Sequence, residues 1–362
     1  MKVSLPQDDL NSALQVVLKA VSSRSILPIL SGILIDAEDG YINLYSTDLE
    51  ISLKYTLPIT VDEPGSVVLP ARLLGDIVKN LSDSQISINS DTDSVKLSCG
   101  SSIFTINTLS ADGFPQFPEL QKDKSISISG RDLSELVRQI IKAVSKDETR
   151  PVLSGALMVI EKGRVKMVTT DSYRLSVCEI AVEGTPDDTR VIIPARCLDE
   201  VARICGGDDV EIGMAKNQVY FKTGNVTLVS RLIEGQFPNY QQLLPSDCEL
   251  RVKFNKDALL SSLRRVSLLA QNNALVRMKV VENVVKVSAE TQDVGLASEE
   301  IDVETSGEGM EVAFNAQFLI DGLHSIDEEE VFLELNSPLK PGLLRPSIDQ
   351  DFIYLVMPVR IG

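Results

Sequence analysis

Histidine is almost absent from the chain. His324 stands alone, which excludes a multi-histidine metal centre and confines imidazole acid–base chemistry to one position. Its neighbours Ile320-Asp321-Gly322-Leu323 read as an ordinary helical stretch and give it a structural setting. The five cysteines (Cys99, Cys178, Cys197, Cys205, Cys248) are odd in number and form no C-x-x-C pair, so neither a disulfide framework nor a thiolate zinc site is signalled. Buried, reduced thiols are expected. No segment approaches the roughly 18 apolar residues of a membrane span. Lys2-Val3-Ser4-Leu5-Pro6-Gln7-Asp8-Asp9 lacks the apolar stretch of a secretory signal, and a cytoplasmic protein is expected. Basic charge is also in deficit: 35 Lys and Arg against 52 Asp and Glu give a net charge of -17, which alone argues against nucleic acid or an anionic membrane as partner.

Enzyme signatures are missing too. The chain has no G-x-x-x-x-G-K-[ST] and no G-x-S-x-G, and Gly307-Glu308-Gly309 lacks a third glycine. Asp327-Glu328-Glu329-Glu330 and Asp91-Thr92-Asp93 could hold a hard cation but read as solvated turns, so no metal and no cofactor is expected. A hydrolase or nucleotide-binding enzyme is the rival class, and a protein-binding repeat adaptor a third. What remains is 362 residues, 43% apolar and 24% charged, enough for two or three soluble domains.

The chain repeats itself. Leu27-Pro28-Ile29-Leu30-Ser31-Gly32-Ile33-Leu34 returns as Arg150-Pro151-Val152-Leu153-Ser154-Gly155-Ala156-Leu157. Thr47-Asp48 returns as Thr170-Asp171, Val67-Val68-Leu69-Pro70-Ala71-Arg72 as Val191-Ile192-Ile193-Pro194-Ala195-Arg196, and Phe114-Pro115 as Phe237-Pro238. The offset holds at about 123 residues. A fainter third copy carries Thr291-Gln292-Asp293 and Val312-Ala313-Phe314-Asn315-Ala316. A period this long indicates repeated domains, near 1–121, 122–247 and 248–362, rather than a solenoid.

Each copy opens with a short strand and an amphipathic helix, as in Val3-Ser4-Leu5 followed by Leu10, Leu14, Val17, Leu18 and Val21. Alternating strands follow, such as Ile42-Asn43-Leu44-Tyr45 after the turn Glu38-Asp39-Gly40. A second helix carries Leu73, Leu74, Ile77, Val78 and Leu81, and further strands close the unit. Two helices and many antiparallel strands per copy give an α+β fold. The repeated Thr-Asp reads as a turn-capping pair rather than a catalytic acid.

The threefold repeat, Leu27-Pro28-Ile29-Leu30, Gly65 to Arg72, Thr170 to Leu175, Phe237-Pro238-Asn239-Tyr240 and the terminal Val356-Met357-Pro358-Val359-Arg360 together resemble the bacterial beta sliding clamp family, the beta subunit of DNA polymerase III. The resemblance runs the whole length. It implies three tandem clamp domains, a head-to-tail homodimer closing into a six-domain ring, duplex DNA in the hole, and a non-catalytic processivity factor. It also implies partners: the replicative polymerase alpha subunit, the clamp loader, and repair and translesion polymerases.

Charge placement fits that implication. The six predicted helices, 6–24, 70–81, 131–146, 194–205, 256–269 and 315–326, total +4 and leave -21 on the rest of the chain. By resemblance Arg24, Arg72 and Arg196 face DNA; on charge, Lys79, Arg131, Arg138, Lys142, Lys146, Arg203, Arg264 and Arg265 join them. Such contacts are independent of base sequence and weak, as sliding requires. The resemblance implies a peptide pocket of Leu153, Thr170, Ser172, Tyr173, Arg174, Leu175, Pro238, Gln242, Leu243, Asn315, Phe318, Pro338, Val356, Met357, Pro358, Val359 and Arg360. Gln242 stands where some relatives have an arginine, Asn272-Asn273 where some have an aromatic, and Ile361-Gly362 extends past the usual end. The dimer contact is expected to pair Phe104 and Ile106 with Leu268 and Leu269, with Glu299 and Glu300 alongside.

Overall fold

The computed structural model describes residues 1–22, 27–82, 84–118, 125–182, 188–215, 217–245, 247–270, 275–346 and 351–360. Its described residues form six α-helices: α1 (Gln7–Val17), α2 (Ala71–Lys79), α3 (Gly130–Ile140), α4 (Ala195–Ile204), α5 (Lys256–Val266) and α6 (Ala316–Leu323). The chain separates into two compact units, residues 1–133 with 196–232, and residues 134–195 with 233–362.

In the first unit α1 buries Leu10, Ala13, Leu14 and Val17 at three- and four-residue steps, and Asp8 and Asp9 sit in its first turn, where the helix dipole favours negative charge. It packs on α2, whose buried face is Ala71, Leu74 and Val78. Gly75 permits the approach: a Cβ there would lie 2.9 Å from Leu18 Cδ1. A five-stranded sheet runs Val61–Glu63, Lys2–Pro6, Gln85–Ser90, Ser94–Cys99, Ser102–Asn107. An eight-stranded sheet runs Ser125–Ile128, Val210–Ala215, Gln218–Thr223, Val226–Arg231, Ile51–Pro58, Tyr41–Thr47, Gly32–Glu38, Gly65–Pro70. Strands of the first and second repeats meet in it, Val226 opposite Tyr55 through Ser230 opposite Ile51.

The second unit has the same plan. A nine-stranded sheet runs Thr189–Pro194, Gly155–Glu161, Arg164–Thr170, Arg174–Ala181, Phe352–Val356, Gly342–Arg345, Glu330–Leu335, Leu250–Asn255, Glu304–Ser306. Second and third repeats meet in antiparallel register, Cys178 opposite Phe352 through Arg174 opposite Val356. A four-stranded sheet runs Gly295–Asp302, Val284–Thr291, Leu275–Val281, Glu311–Asn315. α5 starts on an Asn255 cap whose side chain accepts from Ala258 N at 3.0 Å. It packs on α6, where Gly322 makes room for the Tyr354 ring, 2.6 Å from where its Cβ would be.

The helices are shorter than their apolar periods predict. α1 tightens into a 3-10 turn at Leu18–Ala20 and α3 into another at Ile141–Ala143, after which Val21 and Val144 are extended. In both repeats a hydroxyl on the neighbouring strand captures the last helical carbonyl: Ser46 Oγ donates to Val17 O at 2.5 Å, Thr169 Oγ1 to Ile140 O at 2.6 Å. This corrects the charge estimate. The six helices hold nine basic and nine acidic residues, and the two 3-10 turns add only Lys19 and Lys142. Lys146 lies beyond the helix, and Arg24 lies outside the described residues.

Candidate functional site

The site grows from the five-residue turn Thr170-Asp171-Ser172-Tyr173-Arg174 in the second unit. Asp171 Oδ1 accepts from the amides of Tyr173 at 2.9 Å and Arg174 at 3.0 Å. Thr170 Oγ1 accepts from Ser172 N at 3.1 Å and donates to Arg174 O at 2.7 Å. Ser172 closes the turn at φ +81°, in the left-handed region. Consecutive side chains then part: Tyr173 is 61% exposed and Arg174 only 9%.

Arg174 is the centre of a buried network. Its Nε donates to Asp171 Oδ2 at 2.9 Å, and its Nη1 donates to Asp321 Oδ2 at 2.5 Å and to Tyr354 Oη at 3.1 Å. Burial works against the guanidinium charge, but Tyr354, Asp321 and Asp171 outweigh it and raise the pKa. Burial likewise pushes the Tyr354 phenol up and keeps it neutral. The guanidinium carbon lies 4.6 Å from the centre of the Phe318 ring, and the Tyr173 ring stacks on Phe318 at 6.3 Å and 27°. Asn315 fixes Phe318 by capping α6, its Oδ1 accepting from Gln317 N at 2.9 Å and Phe318 N at 3.4 Å.

The C-terminal tail runs beside this platform. Met357 N donates to Tyr173 O and Val359 N to Ala313 O, both at 2.8 Å. Beneath lies one apolar cluster that includes Leu153, Leu157, Leu175, Phe237, Tyr240, Leu343 and Leu355, with Met357 and Leu244 packed against it. Pro238, Gln242, Leu243, Pro338, Val359 and Arg360 are exposed, as is Leu339, which sequence reasoning missed. The arrangement is an apolar surface with fixed backbone and few polar anchors, suited to a short apolar peptide. Leu175 and Val356 are each 1% exposed and lie opposite one another's neighbours in the sheet that floors this surface.

Of the cations, Arg138 pairs with Glu135 at 2.5 Å and Asp327 at 2.8 Å, and Arg196 with Asp48 at 2.5 Å. Arg203 pairs with Asp199 at 2.6 Å, and Arg265 with Glu299 at 2.6 Å. Arg72, Lys79, Arg131, Lys142, Lys146 and Arg264 are exposed with no carboxylate partner among the described residues. That difference is invisible in sequence charge.

The first and last repeats each leave an edge strand. On Ser102–Asn107, Ile103 is 61% exposed and Phe104 stands beside it. Ile106 stands opposite Val95 and is 4% exposed within the single chain. On the other edge, Gly295–Asp302, Leu296 is exposed, and in the nearby 3-10 turn Leu268 is 78% exposed while Leu269 is half-buried. Glu299 there is held by Arg265, and Glu300 is exposed.

Family models described as the N-terminal, central and C-terminal domains of the DNA polymerase III beta subunit match residues 1–118, 127–239 and 241–360. The chain is 35% identical over 375 residues to the beta sliding clamp of Staphylococcus aureus, covering 99% of both chains. The chain belongs to the bacterial beta sliding clamp family. A sliding clamp structure from Bacillus subtilis superposes over 100% of both chains with a TM-score of 0.97 at 31% identity. The DNA polymerase III subunit beta of Pseudomonas aeruginosa does so at 0.96 and 29%. The turn, the Phe318 platform and the tail are joined by the Tyr173–Phe318 stacking and the Met357 N to Tyr173 O hydrogen bond. The family assignment does not itself locate Asp171, Asp321 and Tyr354, the network members missing from the sequence reading. Asp171 carried a signal in the repeated Thr-Asp.

Proposed function

We propose that two copies of the chain close head to tail into a ring that encircles duplex DNA, slides on it without reading bases, and tethers the replicative polymerase as a non-catalytic processivity factor. One observation carries this reading. Two of three equivalent repeat junctions are made within the chain, by Ile51–Pro58 with Val226–Arg231 and by Arg174–Ala181 with Phe352–Val356. The strands that correspond by the repeat offset, Ser102–Asn107 and Gly295–Asp302, stand at open sheet edges carrying exposed Ile103, Phe104 and Leu296. An open apolar edge is a template for another chain, and a heterologous contact closes when its rotation does.

On this reading the registers seen within the chain are repeated between copies, with Ser102 opposite Glu299, Phe104 opposite Ala297, and Leu268 and Leu269 beside Phe104. Arg72, Lys79, Arg131, Lys142, Lys146 and Arg264 then supply the phosphate contacts, with Arg138, Arg196, Arg203 and Arg265 partly neutralised by their own carboxylates. Arg24 belongs here by resemblance. The domains divide near 1–121, 122–247 and 248–362, and the protein works in the cytoplasm; among the described residues no helix is long and apolar enough to cross a membrane. The Tyr173, Phe318 and Met357 surface takes short apolar peptides of the polymerase alpha subunit, the clamp loader, and repair and translesion polymerases. Loaded on a nicked circular plasmid, the protein is expected to stay bound at salt that dissolves open contacts, and to run off once the plasmid is linearised. Equal loss from circle and line would overturn the ring.

A further inference from the structure

Several cations converge on the C-terminal end of α6. Arg138 Nη1 donates to the His324 carbonyl at 3.0 Å, and Lys256 Nζ to the carbonyls of Ile326 and Asp327 at 2.9 Å each. Arg264 Nη2 lies 2.8 Å from His324 Nε2. Unpaired carbonyls and the negative end of the dipole explain the gathering. Lys142, in the 3-10 turn after α3, acts on the same ring through space.

The anions in reach are already engaged. Asp321 is taken by Arg174 and by Gln317, and Asp327 and Glu135 by Arg138. Arg264 and Lys142 have no carboxylate among the described residues, so positive charge around the exposed ring is left uncompensated.

A guanidinium only donates, so His324 Nε2 accepts and the ring is neutral, its proton on Nδ1. Partial desolvation of the ring, then Arg264, Lys142 and Lys256, hold the imidazole below its ordinary pKa against the pull of Asp321.

We propose that His324, Arg264 and Lys142 form a proton-linked phosphate site, where a phosphodiester of DNA takes the place of the missing carboxylate and the imidazole takes up a proton as it binds. This rests on the duplex-threading reading. A phosphate oxygen against Nε2 needs a donor there, which either the Nε2–H tautomer or the imidazolium supplies, and its negative charge beside the ring favours the imidazolium. The free imidazole titrates low and the phosphate-bound one higher. Between the two values each binding event takes up a proton, so affinity falls as pH rises through the bound-state value and is flat above it.

The chain has one histidine, so its Cε1 proton resonance titrates alone in NMR of the full-length protein. A short linear duplex is expected to move the midpoint up by about one unit, which makes binding up to about tenfold tighter below the free-state midpoint than above the bound-state one, beyond any change seen in His324→Gln. Arg264→Ala is expected to raise the midpoint of the free protein. Inorganic phosphate at matched ionic strength is the second arm; a midpoint that moves with phosphate but not with duplex overturns the DNA contact. A duplex that binds without moving the midpoint overturns the proposal and leaves the threading reading standing. Failure of the protein to stay on nicked circular DNA at any pH removes both.

Discussion

At Thr47-Asp48-Leu49-Glu50-Ile51 and at Thr170-Asp171-Ser172-Tyr173-Arg174 the chain makes the same turn. Thr47 Oγ1 accepts from Leu49 N at 3.0 Å, Asp48 Oδ1 accepts from Glu50 N at 3.0 Å and Ile51 N at 2.8 Å, and Leu49 has φ +76° where Ser172 has +81°. The side chains diverge. Ile51 fills the core where Arg174 brings a charge, and the outer oxygen of Asp48 takes Arg196 where that of Asp171 takes Arg174. After the first junction the chain continues into Leu232-Ile233; after the second it becomes the tail Met357–Arg360. The first turn borders a cavity of about 450 Å³ lined by residues including Leu49, Glu50, Phe117 and Arg231. The second borders the Tyr173 and Phe318 platform. Backbone demands are shared by the repeats, whereas binding chemistry comes from a few substitutions and the tail.

Breaking the charge difference is expected to have the largest effect. Arg174→Ala leaves the partly buried Asp171 and Asp321 without their guanidinium partner and should cost about 3 kcal/mol in denaturant unfolding, against about 1 kcal/mol for Ile51→Val at the matching position. Equal losses would mean the network adds nothing to the second junction. Deleting Met357 to Gly362 removes the feature the first junction lacks. Binding of a labelled apolar clamp-binding peptide should fall by about 100-fold or more while the dimer's sedimentation is unchanged; unchanged affinity places the pocket elsewhere.

Tyr173→Ala tests the platform alone. A loss of about tenfold in peptide affinity is expected, roughly 1.4 kcal/mol, with none for Glu50→Ala. The smallest contrast lies between the eight-stranded and the nine-stranded sheets. Asp36 in the first unit is raised by burial and by Glu38, so its share of stability is greatest when protonated and declines as pH rises through the carboxylate range. Glu179 in the second is lowered: burial opposes this, but Lys166 and Arg164 prevail, so its share is present above the unfolded carboxylate value and is lost as pH falls. Unfolding from pH 3 to 6 should therefore shift in opposite senses for Asp36→Asn and Glu179→Gln. Parallel shifts would contradict the assigned environments.

The repeat was legible because a Thr-Asp turn with a left-handed third residue, and a Pro-Ala-Arg entry to a helix, impose local demands that survive in the residues. Helix ends were not, because Ser46 and Thr169 stop α1 and α3 from strands 29 residues away. The resemblance pointed to Tyr173, Arg174, Phe318 and Met357, but the brace beneath them was not legible: Arg174 meets Asp321 and Tyr354 across 147 and 180 residues. The exposure of Ile103 beside Phe104 was not legible either, because it follows from the strand's position at a sheet edge.

Cross-linking tests ring closure most directly. Leu53 opposite Leu228 and Ser176 opposite Tyr354 correspond to Phe104 opposite Ala297 in the junction between copies. Close antiparallel pairs can accept a disulfide. Phe104→Cys combined with Ala297→Cys should give a single covalent dimer band under mild oxidation, at every protein concentration, and neither variant alone should do so. A ladder of trimers and longer chains would contradict closure, and no cross-link at all would contradict the register.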